Sequence, residues 1–270
     1  MKIAFLGGGN MASALIGGLI ANGHDARSIS VVEVSAAARE RLAAQHAVRA
    51  STAPDAALQG ADILVLAVKP QDMKTALASL AATVRGKLVI SIAAGVTVDS
   101  LSRWLGGHRK LVRCMPNTPA LIGAGISGLY APAEVSAGER KQAETILGAV
   151  GEVVWLAEER LLDPVTAVSA SGPAYVFWFI EQLAASAHRL GIPQDAALKL
   201  ARHTVLGAAR LAAEKPEPPE TLRKQVTSKG GTTEAALKVF DEEKLAERFG
   251  RAIDAASRRG AELGKELGKD

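Results

Sequence analysis

The sequence predicts an α/β protein, with a doubly wound parallel sheet over residues 1–158 followed by an all-helical domain over residues 159–270. Three observations predict it. Short apolar runs alternate with helical periodicity through the first half, as in repeated strand–helix units whose sheet is covered on both faces. After Leu156 the strand-like runs stop and only helical patterns remain. The first strand leads directly into a glycine turn and a helix, the context that gives a dinucleotide-binding motif its meaning.

That opening stretch is KIAFLGGGNMASALIGGL, residues 2–19. Ile3 to Leu6 is an apolar strand. Gly7-Gly8-Gly9-Asn10-Met11-Ala12 fits G-x-G-x-x-A. Gly7 allows the tight turn, Gly9 lets backbone approach a pyrophosphate, and Ala12 keeps helix and strand close. Apolar or small residues at 11, 14, 15, 18 and 19 mark one helix face. The N-terminus of that helix offers free N–H groups and partial positive charge to phosphates. Glu33 follows Ala12 by 21 residues, where an acidic partner for the adenosine ribose is expected. The motif alone also fits an ordinary strand-to-helix turn. Its position at the first strand and the placement of Glu33 favour a dinucleotide site of the Rossmann type.

The following elements continue the pattern. Ile29 to Val34 reads as a second strand and Ala36 to Gln45 as a helix, with Arg39 and Arg41 early in it. Asp62 to Val68 is a continuous apolar run ended by Lys69-Pro70, since proline does not continue a sheet interior. A helix is expected over Gln71 to Ala82, a buried strand over Leu88 to Ala93 and a short helix over Val98 to Leu105. Lys110 to Met115 and Gly125 to Tyr130 are strands, Ser136 to Val150 a helix, and Glu152 to Leu156 the last strand. Leu161 to Leu190 is helical and strongly apolar in its middle, and Gly172-Pro173 should kink or divide it. Ala196 to Glu214 is the next helix, Lys215 to Pro219 a loop, and Thr233 to Phe240 and Glu243 to Leu267 complete the chain. An apolar helix with so few partners of its own predicts a dimer interface.

The bulk numbers exclude several classes. The chain has 270 residues, 48% hydrophobic and 22% charged, as expected for a globular protein with a substantial core. Its net charge of +4 is spread without runs of like charge, so nucleic-acid binding is not indicated. Cys114 is the one cysteine, so no internal disulfide forms, and a reducing, cytoplasmic setting is expected. Glycines cut the N-terminal apolar stretch after four residues, unlike a signal peptide. No unbroken apolar run is long enough for a membrane span. The five histidines show no metal-ligand spacing, so no metal site is expected.

Chemistry is expected at the strand ends, where open parallel sheets bind ligands. Ala67, Val68, Lys69 and Pro70 close one strand, and Ala93, Ala94 and Gly95 another. Cys114-Met115-Pro116-Asn117-Thr118-Pro119 follows a third, with two prolines stiffening the loop around Asn117. Cys114 reads as a small buried residue rather than a nucleophile. In the second half, Thr227-Ser228-Lys229-Gly230-Gly231-Thr232-Thr233 precedes a helix. Backbone N–H groups of Gly230, Gly231, Thr232 and Thr233 would converge there on a carboxylate or phosphate. Capping by Thr232 or Thr233 is the plainer alternative, but it requires one hydroxyl residue and not the whole run.

Taken together, these stretches resemble the pyrroline-5-carboxylate reductases. The resemblance rests on FLGGGNMASALIGGL at the start, LAVKPQ at 66–71, ISIAAGV at 90–96, RCMPNTPALIGAG at 113–125, SASGPAY at 169–175 and QVTSKGGTTEAAL at 225–237, the last being the most specific. It implies reduction of 1-pyrroline-5-carboxylate to L-proline, the final step of proline biosynthesis, with NADPH or NADH as hydride donor. It further implies that Gly230, Gly231, Thr232, Thr233 and Asn117 hold the substrate, with the Thr233 hydroxyl on the ring nitrogen and Ser228 supporting the loop. Leu6, Gly7, Gly8, Gly9, Asn10, Met11, Glu33 and Ser35 should hold the adenosine and pyrophosphate. Ala67 to Pro70, Ala93 to Gly95, Pro116 and Asn117 should border the rest of the cofactor. The family's helical domains interlock as homodimers with the site between two chains, and dimers commonly assemble into rings such as a homodecamer. Two alternatives stand beside this reading: a reductase of another small imino or keto acid, and a non-catalytic dinucleotide-binding sensor. NADPH-preferring members often carry a small or basic residue where this chain has Glu33, with Arg39 and Arg41 as candidates to restore NADPH binding.

Overall fold

A computed structural model describes residues 1–268. By packing, it divides into two units: Met1–Ser171 together with residues from Ala256 onward, and Gly172–Ala255.

The first unit is built on one sheet of eight strands. β1 (Ile3–Leu6), β2 (Ile29–Val32), β3 (Arg49–Ser51), β4 (Ile63–Leu66), β5 (Leu88–Ser91), β6 (Leu111–Met115), β7 (Gly125–Tyr130) and β8 (Gly151–Trp155) lie in the order β3-β2-β1-β4-β5-β6-β7-β8. Pairing is parallel throughout except between β6 and β7. The order reverses about β1, which pairs with β2 on one side and β4 on the other. Such a reversal opens a crevice at the carboxyl ends of the strands. In β1, Ile3 and Phe5 enter one core layer while Ala4 and Leu6 enter the other. The two-residue period of a strand thus explains why a strand covered on both faces is uniformly apolar.

The connections are α1 (Asn10–Ala21), α2 (Ala36–His46), α3 (Ala56–Gln59), α4 (Met73–Leu77), α5 (Val98–Trp104) and α6 (Ala137–Gly148). Short polar side chains fix several starts: Ser35 caps α2, Asp55 caps α3, Thr97 caps α5, and Ser136 with Glu139 forms a capping box on α6. The helix expected over Gln71 to Ala82 is shorter. A 3₁₀ turn over Pro70–Asp72 leads into α4, and the chain then tightens so that Leu80 N–H reaches the Leu77 carbonyl at 2.9 Å. Leu77, Leu80 and Val84 are all buried. β3 and α3 are elements that periodicity did not signal, being three and four residues long.

After β8 come α7 (Leu162–Val165) and a π-helical turn over Thr166–Ala170. The predicted break at Gly172-Pro173 falls where this turn gives way to α8 (Gly172–Arg189). α9 (Gln194–Glu214), α10 (Pro219–Gln225), α11 (Thr232–Glu242) and α12 (Leu245–Leu267) follow. α10 starts at Pro219, inside the stretch read as loop, because proline suits the first helical position. On α8, Val176, Phe177, Trp178 and Phe179 are all exposed within the single chain. Among the described residues no helix is long and apolar enough to cross a membrane.

Candidate active site

The glycine turn after β1 is shaped by its neighbours. Gly7 has φ +100°, and a Cβ there would stand 2.6 Å from the Ala67 carbonyl oxygen. The Gly7 N–H donates to the Val32 carbonyl at 2.8 Å, and Ala67 N–H donates to the Leu6 carbonyl at 2.8 Å. This position therefore joins β1, β2 and the end of β4 in one close-packed corner. Gly9 differs: nothing lies within 4 Å of where its Cβ would be. No side chain caps α1 at Gly9. An open glycine face before an uncapped helix N-terminus fits a pyrophosphate, whose charge would be met by backbone N–H groups.

Glu33 follows β2 and turns back onto the glycine loop. Its Oε2 accepts from the Gly8 N–H at 2.7 Å and its Oε1 from the Ser35 N–H at 2.7 Å. Ser35 caps α2, its Oγ accepting from Ala38 N–H at 3.4 Å. Arg39 Nη1 donates to the carbonyls of Glu33 and Val34, both at 2.8 Å, and Arg41 Nη2 donates to the Gly8 carbonyl at 3.1 Å.

The other predicted strand-end residues sit beyond β4, β5 and β6. Ala67 and Val68 are half-buried, Lys69 is exposed and Pro70 begins the 3₁₀ turn. Ala93 and Gly95 are buried, and Gly95 takes φ +76°. Pro116 is buried, and Asn117 uses both ends of its amide inside the chain. Its Oδ1 accepts from Ile126 N–H at 2.9 Å, and its Nδ2 donates to the Ser169 carbonyl at 3.4 Å. Asn117 therefore ties the loop after β6 to β7 and to the π-helical turn. Ser169 itself carries a buried hydroxyl with no partner among the described residues. Sequence reasoning did not single it out. Its only signal was the small, polar run SASG between two helices.

Burial pushes the Cys114 thiol up to about 12, so it stays protonated and unreactive at neutral pH. No cluster of three metal-ligating side chains occurs among the described residues.

In the second unit, the run from Ser228 to Thr233 forms a turn ahead of α11. Gly230 has φ +74°, and its N–H donates to Glu234 Oε2 at 2.6 Å. Gly231 N–H donates to the Ser228 carbonyl at 3.0 Å. Gly231 is the N-cap residue, and no side chain caps the helix. Thr232 and Thr233 thus belong to the first turn of α11, where N–H groups lack intrahelical acceptors. Neither threonine is the cap. Of the four N–H groups expected to converge on an anion, two are already engaged within the turn.

A pyrroline-5-carboxylate reductase of Pseudomonas aeruginosa is 45% identical over 269 residues, covering 99% of this chain and 98% of that one. The chain belongs to the pyrroline-5-carboxylate reductase family. The family model for pyrroline-5-carboxylate reductase dimerisation matches residues 159–263, and that for coenzyme F420-dependent NADP oxidoreductase matches residues 2–95. The solved pyrroline-5-carboxylate reductase of Coxiella burnetii superposes with a TM-score of 0.93 at 40% identity, over 100% of this chain and 99% of that one. The pyrroline carboxylate reductase of Plasmodium falciparum, solved with NADP bound, gives 0.85 at 27% identity, over 98% of each chain. Membership accounts for both halves: a dinucleotide-binding sheet, then a helical dimerisation domain whose α8 carries the exposed apolar residues.

Proposed function

We propose that this chain reduces 1-pyrroline-5-carboxylate to L-proline, taking hydride from NADPH or NADH. The observation that carries the reading is the uncapped start of α11 behind the Ser228–Thr233 turn, in a chain that matches reductases of this family along its whole length. A bound nicotinamide supplies the hydride. The chain's own residues bind and orient the substrate. The N–H groups of Thr232 and Thr233 hold the substrate carboxylate, with Gly230 and Gly231 shaping the turn. The Thr233 hydroxyl bonds the ring nitrogen, and Ser228 supports the loop. The electrophile is an iminium carrying its own activating charge, so orientation and exclusion of water contribute more than a strong acid. Pro116 and Asn117 border the nicotinamide, and the Asn117 amide, engaged at both ends, acts there through the shape it gives the loop.

In this reading the working unit is a cytoplasmic homodimer with the site completed between two chains, and dimers assemble further into a ring. The test is loss of reduced-nicotinamide absorbance on adding 1-pyrroline-5-carboxylate, with proline measured as product. Turnover to proline supports the reading. Cofactor binding without turnover overturns it and leaves another imino or keto acid, or a sensor, as the alternatives.

A further inference from the structure

We infer that Glu159 is a positioning residue: through Arg113 and the start of α5 it sets the two loops proposed to border the nicotinamide. The inference deepens the proposed function and rests on the cofactor placement given there.

Arg113 is the exception within β6. Val112 and Cys114 enter one core layer and Leu111 the other, so strand alternation turns Arg113 to the side of Leu111. Its side chain is 6% exposed. A guanidinium so placed loses most of its hydration and requires a fixed anionic partner. Glu159 is that partner, its Oε1 accepting from Arg113 Nη1 at 3.0 Å. Asp163 Oδ1 stands farther off, 3.9 Å from Nη2. An apolar side chain at 113 would suit a covered strand at a lower desolvation cost, so stability alone does not call for this pair.

The connections of the pair show what it does. The same Glu159 oxygen accepts from Val98 N–H at 2.7 Å. Val98 is the first residue of α5, where an N–H has no intrahelical acceptor. It ends the loop that carries Ala93, Ala94 and Gly95. Gly95 and Thr97 line one cavity of about 350 Å³ with Arg113 and Asp163. On the other side, Arg113 precedes Pro116 by three residues and Asn117 by four. One carboxylate oxygen thus fixes the far end of the loop after β5 and the stem of the loop after β6. Past Asp163 the chain runs through α7 to the π-helical turn, whose Ser169 carbonyl receives Asn117 Nδ2 at 3.4 Å. The loop after β6 is therefore held at both ends by the segment that follows β8.

Hydride transfer depends on the distance and angle of the nicotinamide ring, and a misplacement of about 1 Å can cost about a hundredfold in rate. The glycine turn proposed for the pyrophosphate has its own anchors at Val32, Glu33 and Ala67. Loss of the Glu159 charge should therefore disturb one half of the cofactor and spare the other.

The test uses the full-length protein and the variants Glu159→Gln and Arg113→Met. E159Q keeps an acceptor for Val98 N–H and removes the charge opposite Arg113. NADH and NADPH are titrated without substrate by nicotinamide fluorescence, and ADP-ribose, which lacks the nicotinamide, by calorimetry. E159Q should bind both reduced cofactors about tenfold more weakly and ADP-ribose within about twofold of wild type. With 1-pyrroline-5-carboxylate, its kcat should fall at least about tenfold while KM for that substrate changes little. A merely structural role would lower the melting temperature and leave the ratio of reduced-cofactor to ADP-ribose affinity at its wild-type value. That result in folded E159Q overturns the inference. If E159Q does not fold, R113M decides: the same selective loss supports the inference and a wild-type ratio overturns it. Because the titrations need no substrate, a selective loss in a protein that makes no proline would uphold this inference and overturn the proposed reaction.

Discussion

Gly95 and Gly264 meet backbone to backbone. A Cβ on Gly264 would stand 3.1 Å from the Gly95 carbonyl oxygen, and one on Gly95 would stand 3.3 Å from Gly264 Cα and 3.2 Å from Leu267 Cδ1. The last turns of α12 thus rest on the loop that follows β5. Nearby, Glu159 Oε1 accepts from Val98 N–H at 2.7 Å and from the buried Arg113 at 3.0 Å, fixing the start of α5. Gly264→Val should push α12 off this loop and cost about 1–3 kcal/mol by overpacking. Urea unfolding of the variant checks it, and cofactor affinity should fall with stability because Gly95 moves with the loop.

Gly7 and Gly9 should respond differently to the same added methyl. Gly7→Ala combines a positive φ with a clash against Ala67 backbone, so it should lower stability by at least about 1–3 kcal/mol. Gly9→Ala meets nothing in the protein and should leave the melting temperature within a few degrees of wild type. Its methyl would occupy the face proposed for the pyrophosphate. Cofactor affinity should therefore fall about tenfold or more, read by fluorescence titration.

At the α11 turn, Thr233→Ala should lower kcat about a hundredfold while cofactor affinity stays unchanged, since it removes a group proposed to act on the substrate alone. Glu234→Gln should lower KM for the substrate, because it keeps an acceptor for Gly230 N–H while removing a negative charge beside the carboxylate site. Steady-state kinetics with purified 1-pyrroline-5-carboxylate separates the two effects. A kcat unchanged in T233A would remove Thr233 from the mechanism.

Burial holds His108 below its ordinary value of 6.5, and His46 is lowered by burial as well. The folded state therefore binds these protons less readily than the unfolded chain. Their contribution is full above about 6.5 and is lost as pH falls through the lower folded values. The melting temperature should decline as pH drops from 7 toward 5. His108→Gln should flatten that decline; an unchanged slope in both H108Q and H46Q would show that other groups govern it.

Cys114 should resist thiol reagents in the native protein. Its thiol is buried, held near 12 and bonded to Ser127. Labelling should proceed at the rate of unfolding and should accelerate sharply in urea, as measured by mass shift over time. Fast native labelling would contradict its place in the core.

Much of the fold was legible because its signals are local. A strand covered on both faces is largely apolar, so β1 and β4 announce themselves as unbroken apolar runs, and β5 and β6 as apolar runs interrupted by Ser91 and Arg113 alone. Helix starts at Ser35, Thr97 and Ser136 follow from side chains that cap neighbouring N–H groups. β3, α3 and α10 were not legible, since three to seven residues carry too little periodicity to outweigh a proline or a polar end.

The sequence by itself determined the order of the longer strands and helices, the glycine turn, the threonine-rich run before α11 and the family. Each of these is written in residue types at fixed spacing. Only the tertiary structure decided that Gly8 N–H is bonded by Glu33, that Asn117 spends its amide on Ile126 and Ser169, and that Gly264 rests against Gly95. These pairs lie 9 to 169 residues apart, and hydrogen-bond direction and atomic clearance exist only once the chain has brought them together.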